Sequence, residues 1–134
     1  MTKHKFIKEV EIRSSARMIY PLLSTPSGLS QWFCEQVNYT PDKNLSFLWD
    51  GQQHLANIVV QRVNKMIKYE FKKDENILHS EADPSYIEFQ IDSNDLTQTT
   101  FLKVVDYSEN ADEEDLEELW EDLMYKLKES LGVS

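Results

Sequence analysis

Cysteine is nearly absent from this sequence, and its scarcity limits both the chemistry and the compartment of the protein. Cys34 is the one cysteine among 134 residues. An intramolecular disulfide is therefore excluded, and a reducing compartment is favoured, so we predict a cytoplasmic location. A catalytic thiol would need a neighbouring histidine and a lowered pKa. Because free cysteines are commonly buried, we favour the interpretation that Cys34 is a buried, unreactive thiol.

Glycine and histidine are also rare, which argues against several kinds of site. Three glycines in the whole chain leave little room for a glycine-rich phosphate-binding loop. The three histidines, His4, His54 and His79, show no pairing at metal-ligand spacing, and neither H-E-x-x-H nor C-x-x-C occurs. We therefore predict no metal site and no cofactor.

Long apolar runs and clustered basic residues are missing as well. No segment approaches the roughly 20 apolar residues that span a bilayer, and Met1 to Lys8 lack the apolar core of a signal peptide. The net charge is −10, and nine carboxylates with no Lys or Arg lie between Glu109 and Asp122. Outside that window the charge is close to balanced, so the acidity is local. This pattern argues against nucleic acid as a partner.

What the sequence does contain is a series of alternating segments typical of antiparallel strands. Ile67, Tyr69 and Phe71 alternate with charged residues, which indicates one packed and one solvated face. In the last such segment, Leu102 and Val104 are the predicted inward pair. Candidate strands cover residues 5–12, 45–49, 54–63, 66–72, 86–92 and 97–107.

Turn residues separate several of these strands. Asp50-Gly51 is the strongest hairpin signal in the chain, because a type I′ turn requires positive φ at both central residues. Asn64-Lys65 predicts a second turn.

Two short helices are predicted after the first strand. Ser14 and Ser15 are candidate N-caps for the first, which Pro21 should kink or shorten because proline removes an amide donor. The second begins at Thr25, with Pro26 at the favoured first position.

A long helix is predicted near the C-terminus, from about Ala111 to Leu131. It would be roughly 30 Å long, enough to cross a sheet. Asn110 with Glu113 is a candidate capping box, and Gly132 stands where a left-handed C-terminal residue belongs. The apolar stripe consists of Leu116, Leu119, Trp120, Leu123, Met124, Leu127 and Leu131.

The order of these elements predicts the architecture. We expect one α+β domain over residues 1–134, with a curved antiparallel sheet of about six to seven strands wrapped on the long C-terminal helix. Two short helices follow the first strand. The two layers must pack together, because only the apolar face of the sheet can bury the helix stripe.

The segment from Ile19 to Phe33, IYPLLSTPSGLSQWF, resembles the helix-loop-helix of START-like proteins, also called the SRPBCC or helix-grip superfamily. Its L-x-x-P-x-x-L-x-x-W-F stretch is similar to that of the branch named after the activator of the heat-shock-protein-90 ATPase. The Asp50-Gly51 hairpin, the strand at residues 99–102 and Leu119-Trp120 fit in order. The resemblance implies a pocket between sheet and C-terminal helix. In the superfamily such pockets hold lipids, sterols, polyketides or aromatic small molecules.

Most residues that we predict to line this pocket are aromatic. Tyr20 and Tyr69 are the favoured polar members, because a buried hydroxyl needs a partner. A packed core without a ligand is the alternative for each aromatic residue. The predicted ligand-binding set is Tyr20, Trp32, Phe33, Trp49, Tyr69, Phe71, Phe89, Asp106, Trp120 and Met124.

Asp106 is the one charged member of the set. It faces inward if Leu102 and Val104 do, since strand side chains alternate. At a pocket mouth it would orient a ligand or act as a base with a raised pKa. The commoner alternative is that it caps a backbone amide at the end of the strand.

Three functions remain open from the sequence. The favoured one is a non-catalytic module that binds a small hydrophobic or amphipathic molecule, because no catalytic constellation is present. The second is a co-chaperone-like module that contacts a protein partner through the acidic segment Glu109 to Asp122. The third is a pocket enzyme, such as a cyclase or hydratase, that uses Asp106 and a tyrosine. A homodimer is a further alternative, because an exposed strand edge can pair with a second copy.

Overall fold

The computed structural model describes residues 3–72, 83–97, 99–109 and 112–133, which form seven strands and three helices. The elements are β1 His4–Ile12, α1 Ala16–Ser24, α2 Pro26–Trp32, β2 Gln36–Tyr39, β3 Leu45–Trp49, β4 Gln52–Arg62, β5 Met66–Phe71, β6 Tyr86–Asn94, β7 Thr99–Ser108 and α3 Glu113–Leu131. All neighbouring strands are antiparallel, in the order β1-β7-β6-β5-β4-β3-β2. The predicted α+β class, with two short helices after the first strand and a long one at the end, is confirmed.

The alternating residues form one continuous apolar face of the sheet. Ile67 pairs with Phe89, and Phe89 with Val104, across three adjacent strands. All three side chains are fully buried. Leu102 is buried on the same face, so the predicted inward pair is confirmed. The helices pack against this face, which places the core between sheet and helices.

Two of the sheet's turns depend on backbone conformations that few residues adopt. Asp50 and Gly51 have φ of 52° and 72°, as a type I′ hairpin requires. Asn64 has φ of 63° in the turn between β4 and β5. Both predicted turns are confirmed. The strand β2 was not predicted, because only Val37 of its four residues is buried and no alternation marks it.

The two short helices form a tight corner. Ser15 and Thr25 cap α1 and α2, as predicted, and α1 ends at Ser24, less than a turn after Pro21. Gly28 lets the helices approach: a Cβ at this position would lie 2.1 Å from the Pro21 carbonyl oxygen. The Trp32 indole closes the corner by donating a 2.7 Å hydrogen bond to the Leu22 carbonyl.

The helix α3 begins two residues later than predicted, at Glu113. Its N-cap is Asp112, whose carboxylate accepts from the amides of Glu114 and Asp115. The predicted capping residue Asn110 lies outside the described residues. Gly132, with φ of 73°, ends the helix as expected. At 1.5 Å per residue the 19 residues extend about 28 Å, and none of the helices in the described ranges is both long and apolar enough to cross a membrane.

Candidate ligand-binding cleft

A cleft lies between one end of the sheet and the first half of α3. As bounded by the described residues, its volume is about 610 Å³, which is within the range of small-molecule sites. The ends of β5, β6 and β7, the β3–β4 hairpin, and the residue after α2 form its walls. Aliphatic side chains of Ile87, Leu116, Leu119 and Leu123 supply much of the apolar lining.

Aromatic rings form another part of the cleft wall. Phe33 lies at the centre, with its ring centroid 6.0 Å from both Trp49 and Trp120. Phe71 extends the group, 5.7 Å from Trp49. The Phe33 and Trp49 rings are nearly perpendicular, at 89°. Trp49 meets Phe33 and Phe71 edge to face, whereas Phe33 and Trp120 are tilted by 32°, so the wall is a packed unit with defined shape.

Asp106 contributes a nearly buried carboxylate to the cleft. Its position in β7 is opposite Phe6 of β1 and Ile87 of β6, on the apolar face. The side chain is 8% exposed, and Oδ2 accepts a 2.8 Å hydrogen bond from Trp120 Nε1. The predicted inward orientation is therefore confirmed. Its hydrogen-bond partners include the Trp120 indole and the Ser108 side chain, and the residue lines the cleft.

Burial has a direct consequence for the protonation of this carboxylate. Loss of water contact raises the pKa of Asp106 above 3.8, and the hydrogen bonds from Trp120 and Ser108 only partly offset this effect. Because the pKa is higher in the folded than in the unfolded protein, proton binding by Asp106 adds to the free energy of unfolding. This contribution is complete at pH values below the unfolded-state pKa. That contribution is lost as the pH rises through the folded pKa.

Replacement of Asp106 by asparagine should therefore stabilise the protein in a pH-dependent way. Asparagine keeps an oxygen that can accept from Trp120, but it has no charge to bury. We expect Asp106→Asn to raise the free energy of unfolding at neutral pH relative to the parent, with the gain shrinking as the pH falls toward 3.8. Each tenfold difference in proton affinity corresponds to about 1.4 kcal/mol. Urea unfolding between pH 4 and 8 measures the difference.

The matched control for this experiment is Asp95→Asn, in an exposed turn. It should change the free energy of unfolding by less than about 0.5 kcal/mol. A difference between Asp106→Asn and the parent that is constant across the pH range would contradict the assignment.

The polar residues at the cleft differ in their protonation. His54 stacks on Trp49 at a centroid distance of 4.2 Å, and burial lowers the pKa of its imidazole, so the ring is neutral at pH 7. The Tyr107 hydroxyl donates a 2.8 Å hydrogen bond to the Asp83 carboxylate, which raises the pKa of the phenol. Tyr86 packs against Tyr107 and carries the Lys68 ammonium 4.0 Å from its centroid.

The structure places the ten predicted ligand-binding residues in two groups. Five of them line the cleft: Phe33, Trp49, Phe71, Asp106 and Trp120. The other five are buried in the core instead: Tyr20, Trp32, Tyr69, Phe89 and Met124.

The two predicted polar members, Tyr20 and Tyr69, belong to the core group. The Tyr69 hydroxyl donates a 2.6 Å hydrogen bond to the Leu23 carbonyl. The Tyr20 hydroxyl is buried and has no hydrogen-bond partner among the described residues. Tyr86 and Tyr107 are the tyrosines at the cleft, and their position at the ends of paired strands was the available signal.

Cys34 lies beside the core and away from the cleft lining. Burial raises the pKa of its thiol, which is therefore protonated at neutral pH. In the described part of the chain, no group of three or more His, Cys, Asp or Glu side chains has a metal-binding arrangement.

The acidic residues of α3 form an exposed surface beside the cleft. All of those between Asp112 and Asp122 are exposed. Glu117 forms an ion pair with Lys8 of β1, which joins the helix to the edge strand. The carboxylates of the first turn also compensate the positive end of the helix dipole.

Comparison with known proteins supports the fold and assigns the family. The START-like superfamily domain matches residues 1–133. The solution structure of BfR322 from Bacteroides fragilis is 33% identical, with a TM-score of 0.62, over 97% of this chain and 92% of that one. No curated protein matches the sequence.

Two further solved structures share the fold at lower identity. The Aha1 dimer from Colwellia psychrerythraea is 17% identical with a TM-score of 0.71, over 96% of both chains. MLL2253 from Mesorhizobium loti is 16% identical with a TM-score of 0.73, over 96% of this chain and 97% of that one. The chain belongs to the START-like superfamily.

Proposed function

We propose that this protein is a non-catalytic module that binds a small hydrophobic or amphipathic molecule between the sheet and α3. The observation that carries the proposal is the cleft of about 610 Å³ with a mainly apolar lining. Sites of this kind combine an apolar wall with a few placed polar groups. Here the wall is the aromatic group around Phe33, and the placed polar group is Asp106.

The direct test is native mass spectrometry of the protein purified from its own host, followed by a denatured run. We expect a small molecule at one copy per chain in the native spectrum and its release on denaturation. The released mass gives the chemical class of the molecule. A bare protein in repeated preparations, together with no binding of a neutral apolar probe, would contradict the proposal.

A matched pair of substitutions on α3 tests the position of the ligand. Leu119 and Tyr125 are both large and exposed, at 48% and 66%, but only Leu119 lines the cleft. We expect Leu119→Gln to weaken binding of the neutral fluorescent probe N-phenyl-1-naphthylamine by roughly three- to tenfold, because a leucine contact with the probe is lost. Tyr125→Gln should leave the affinity unchanged. If Leu119→Gln and Tyr125→Gln bind the probe with equal affinity, the probe does not bind in the cleft.

A second candidate function is a protein-interaction module that uses the acidic segment from Glu109 to Asp122. The supporting observation is that the carboxylates from Asp112 to Asp122 are exposed along α3 and its N-cap, an arrangement that would complement a basic protein surface. A pull-down from the native host that retrieves no salt-sensitive protein partner would count against it.

The similar Aha1 structure is a dimer, and light scattering after size-exclusion chromatography tests whether this chain also forms one.

A further inference from the structure

The charged residues at the cleft are unequal in number and sign. Within the part of the chain that the structure describes, the carboxylates of Asp50, Asp106 and Glu109 line the cleft, and Lys72 supplies the one ammonium group. His54 adds no charge at neutral pH, because burial lowers the pKa of its imidazole. Among these described lining residues the excess is therefore negative, which favours a cation in the cleft and disfavours an anion.

The helix that bounds the cleft strengthens this preference. The N-terminus of an α-helix carries a partial positive charge of about half a unit, which would attract an anion. Glu113, Glu114 and Asp115 occupy the first turn of α3, and Asp112 caps it. These carboxylates outweigh the dipole, so the positive helix end does not turn the cleft into an anion site.

The aromatic wall offers a second kind of interaction with a cation. Trp49, Phe33 and Trp120 lie at successive centroid distances of 6.0 Å. A cation attracts the face of such rings when it lies within about 6 Å of a centroid, and tryptophan is the strongest partner. Because His54 stacks on Trp49 at 4.2 Å, Phe33 and Trp120 are the rings of this group assigned to a charged group in the cleft. The Tyr86 ring is excluded from this role because Lys68 already occupies it.

Asp106 would allow one cation to interact with a carboxylate and with an aromatic ring at the same time. Its Oδ2 is held by the Trp120 indole at 2.8 Å, which fixes the carboxylate beside the ring that would face the cation. A carboxylate has about four acceptor positions, so one fixed by an indole can still accept from a ligand. Burial of an ionised carboxylate is unfavourable without a compensating charge, and a cationic ligand would supply that charge.

We infer that the ligand of the cleft carries a positively charged amine or quaternary ammonium group, placed beside Asp106 and the rings of Phe33 and Trp120. The apolar part of the molecule extends along Leu116 and Leu119. This inference rests on the proposed function and goes beyond it by naming the class of ligand.

The experiment compares three amphiphiles with eight-carbon chains, the carboxyl carbon of octanoate included. Octyltrimethylammonium, octyl glucoside and octanoate, each below its micellar concentration, compete with N-phenyl-1-naphthylamine for the full chain. We expect the cation to displace the probe at about tenfold lower concentration than the neutral glucoside, and octanoate to be the weakest.

Two variants test whether the cleft carboxylates cause the preference for the cationic amphiphile. Asp106→Asn removes the anchored charge. Asp50→Asn removes an exposed one and keeps the hairpin, because asparagine suits the positive φ of 52° at this position. Both should reduce the advantage of the cation over the glucoside several-fold, measured as the ratio of the two displacing concentrations. Asp95→Asn, in a turn that does not line the cleft, should alter neither.

The outcomes separate the two proposals. Equal displacement by all three amphiphiles, or strongest displacement by octanoate, would overturn the cationic ligand and leave the binding function in place. If the probe does not bind the parent protein and the protein purified from its host carries no small molecule, the binding function fails, and the inference fails with it.

Discussion

Trp120→Ala should lower the free energy of unfolding by about 3–5 kcal/mol, the typical cost of removing a large buried aromatic side chain. The indole is 1% exposed. Its ring packs against Phe33 at 6.0 Å and Phe89 at 6.2 Å, so α3 loses its main aromatic contact with the sheet. The substitution also removes the hydrogen bond to Asp106 and leaves that carboxylate without its indole donor. Urea unfolding monitored by circular dichroism measures the change.

Trp120→Phe separates the two contributions. Phenylalanine keeps most of the packing but has no N–H donor, so we expect a loss of about 1–3 kcal/mol because the buried carboxylate loses its indole hydrogen bond. The same change in an Asp106→Asn background should cost less, because a neutral amide tolerates the loss of the indole better than a charge does. If Trp120→Ala costs less than about 1 kcal/mol, the helix does not pack on the sheet as described.

Gly28→Ala should cost about 3 kcal/mol or more, at or beyond the upper end for overpacked positions. A Cβ on residue 28 would lie 2.1 Å from the Pro21 carbonyl oxygen and 2.7 Å from the Leu22 Cα. Both atoms belong to the backbone of α1, so no side-chain rotation relieves the contact and the two helices must separate. The movement would also stretch the 2.7 Å bond from Trp32 Nε1 to the Leu22 carbonyl. Thermal unfolding, with tryptophan fluorescence as a second signal, detects both effects.

Gly51→Ala is the informative control for this prediction. Its Cβ would meet nothing within 4 Å, but the residue has φ of 72° in the β3–β4 hairpin. The expected cost is about 1–2 kcal/mol from backbone conformation alone. A Gly28→Ala protein as stable as the parent would mean that the α1–α2 corner is looser than the described contact.

The fold could be predicted in large part because its elements carry local signals. Strict alternation at Ile67, Tyr69 and Phe71 marks β5, and the Asp50-Gly51 pair fixes the hairpin before any tertiary contact is considered. The short edge strand β2 was not predicted, because a four-residue strand with one buried side chain shows no alternation of apolar and polar residues. The start of α3 was misplaced because two polar residues near it are both good caps. Asp112 caps the helix in the structure.

The cleft was harder to predict than the fold, because a cavity depends on how neighbouring side chains fill space. Periodicity indicates that Tyr69 and Phe71 both face inward, but it does not distinguish the residue beside the cleft from the one in the core. Phe71 lines the cleft, whereas the Tyr69 hydroxyl is bonded to Leu23. Asp106 was predictable, because a charged residue in register with Leu102 and Val104 must face either an apolar core or a polar site.

The position of β1 in the sheet determines when this protein can complete its fold during synthesis. His4 pairs with Ser108, so the first strand finds its neighbour only after residue 108 has left the ribosome. Contacts between residues so far apart in sequence close slowly, because the intervening chain must lose much of its freedom first. Until then, Phe6 and Ile12 on the apolar side of β1 are not buried in the core. We expect nascent chains that end before β7 to require chaperone protection and chains that extend past α3 to fold without it.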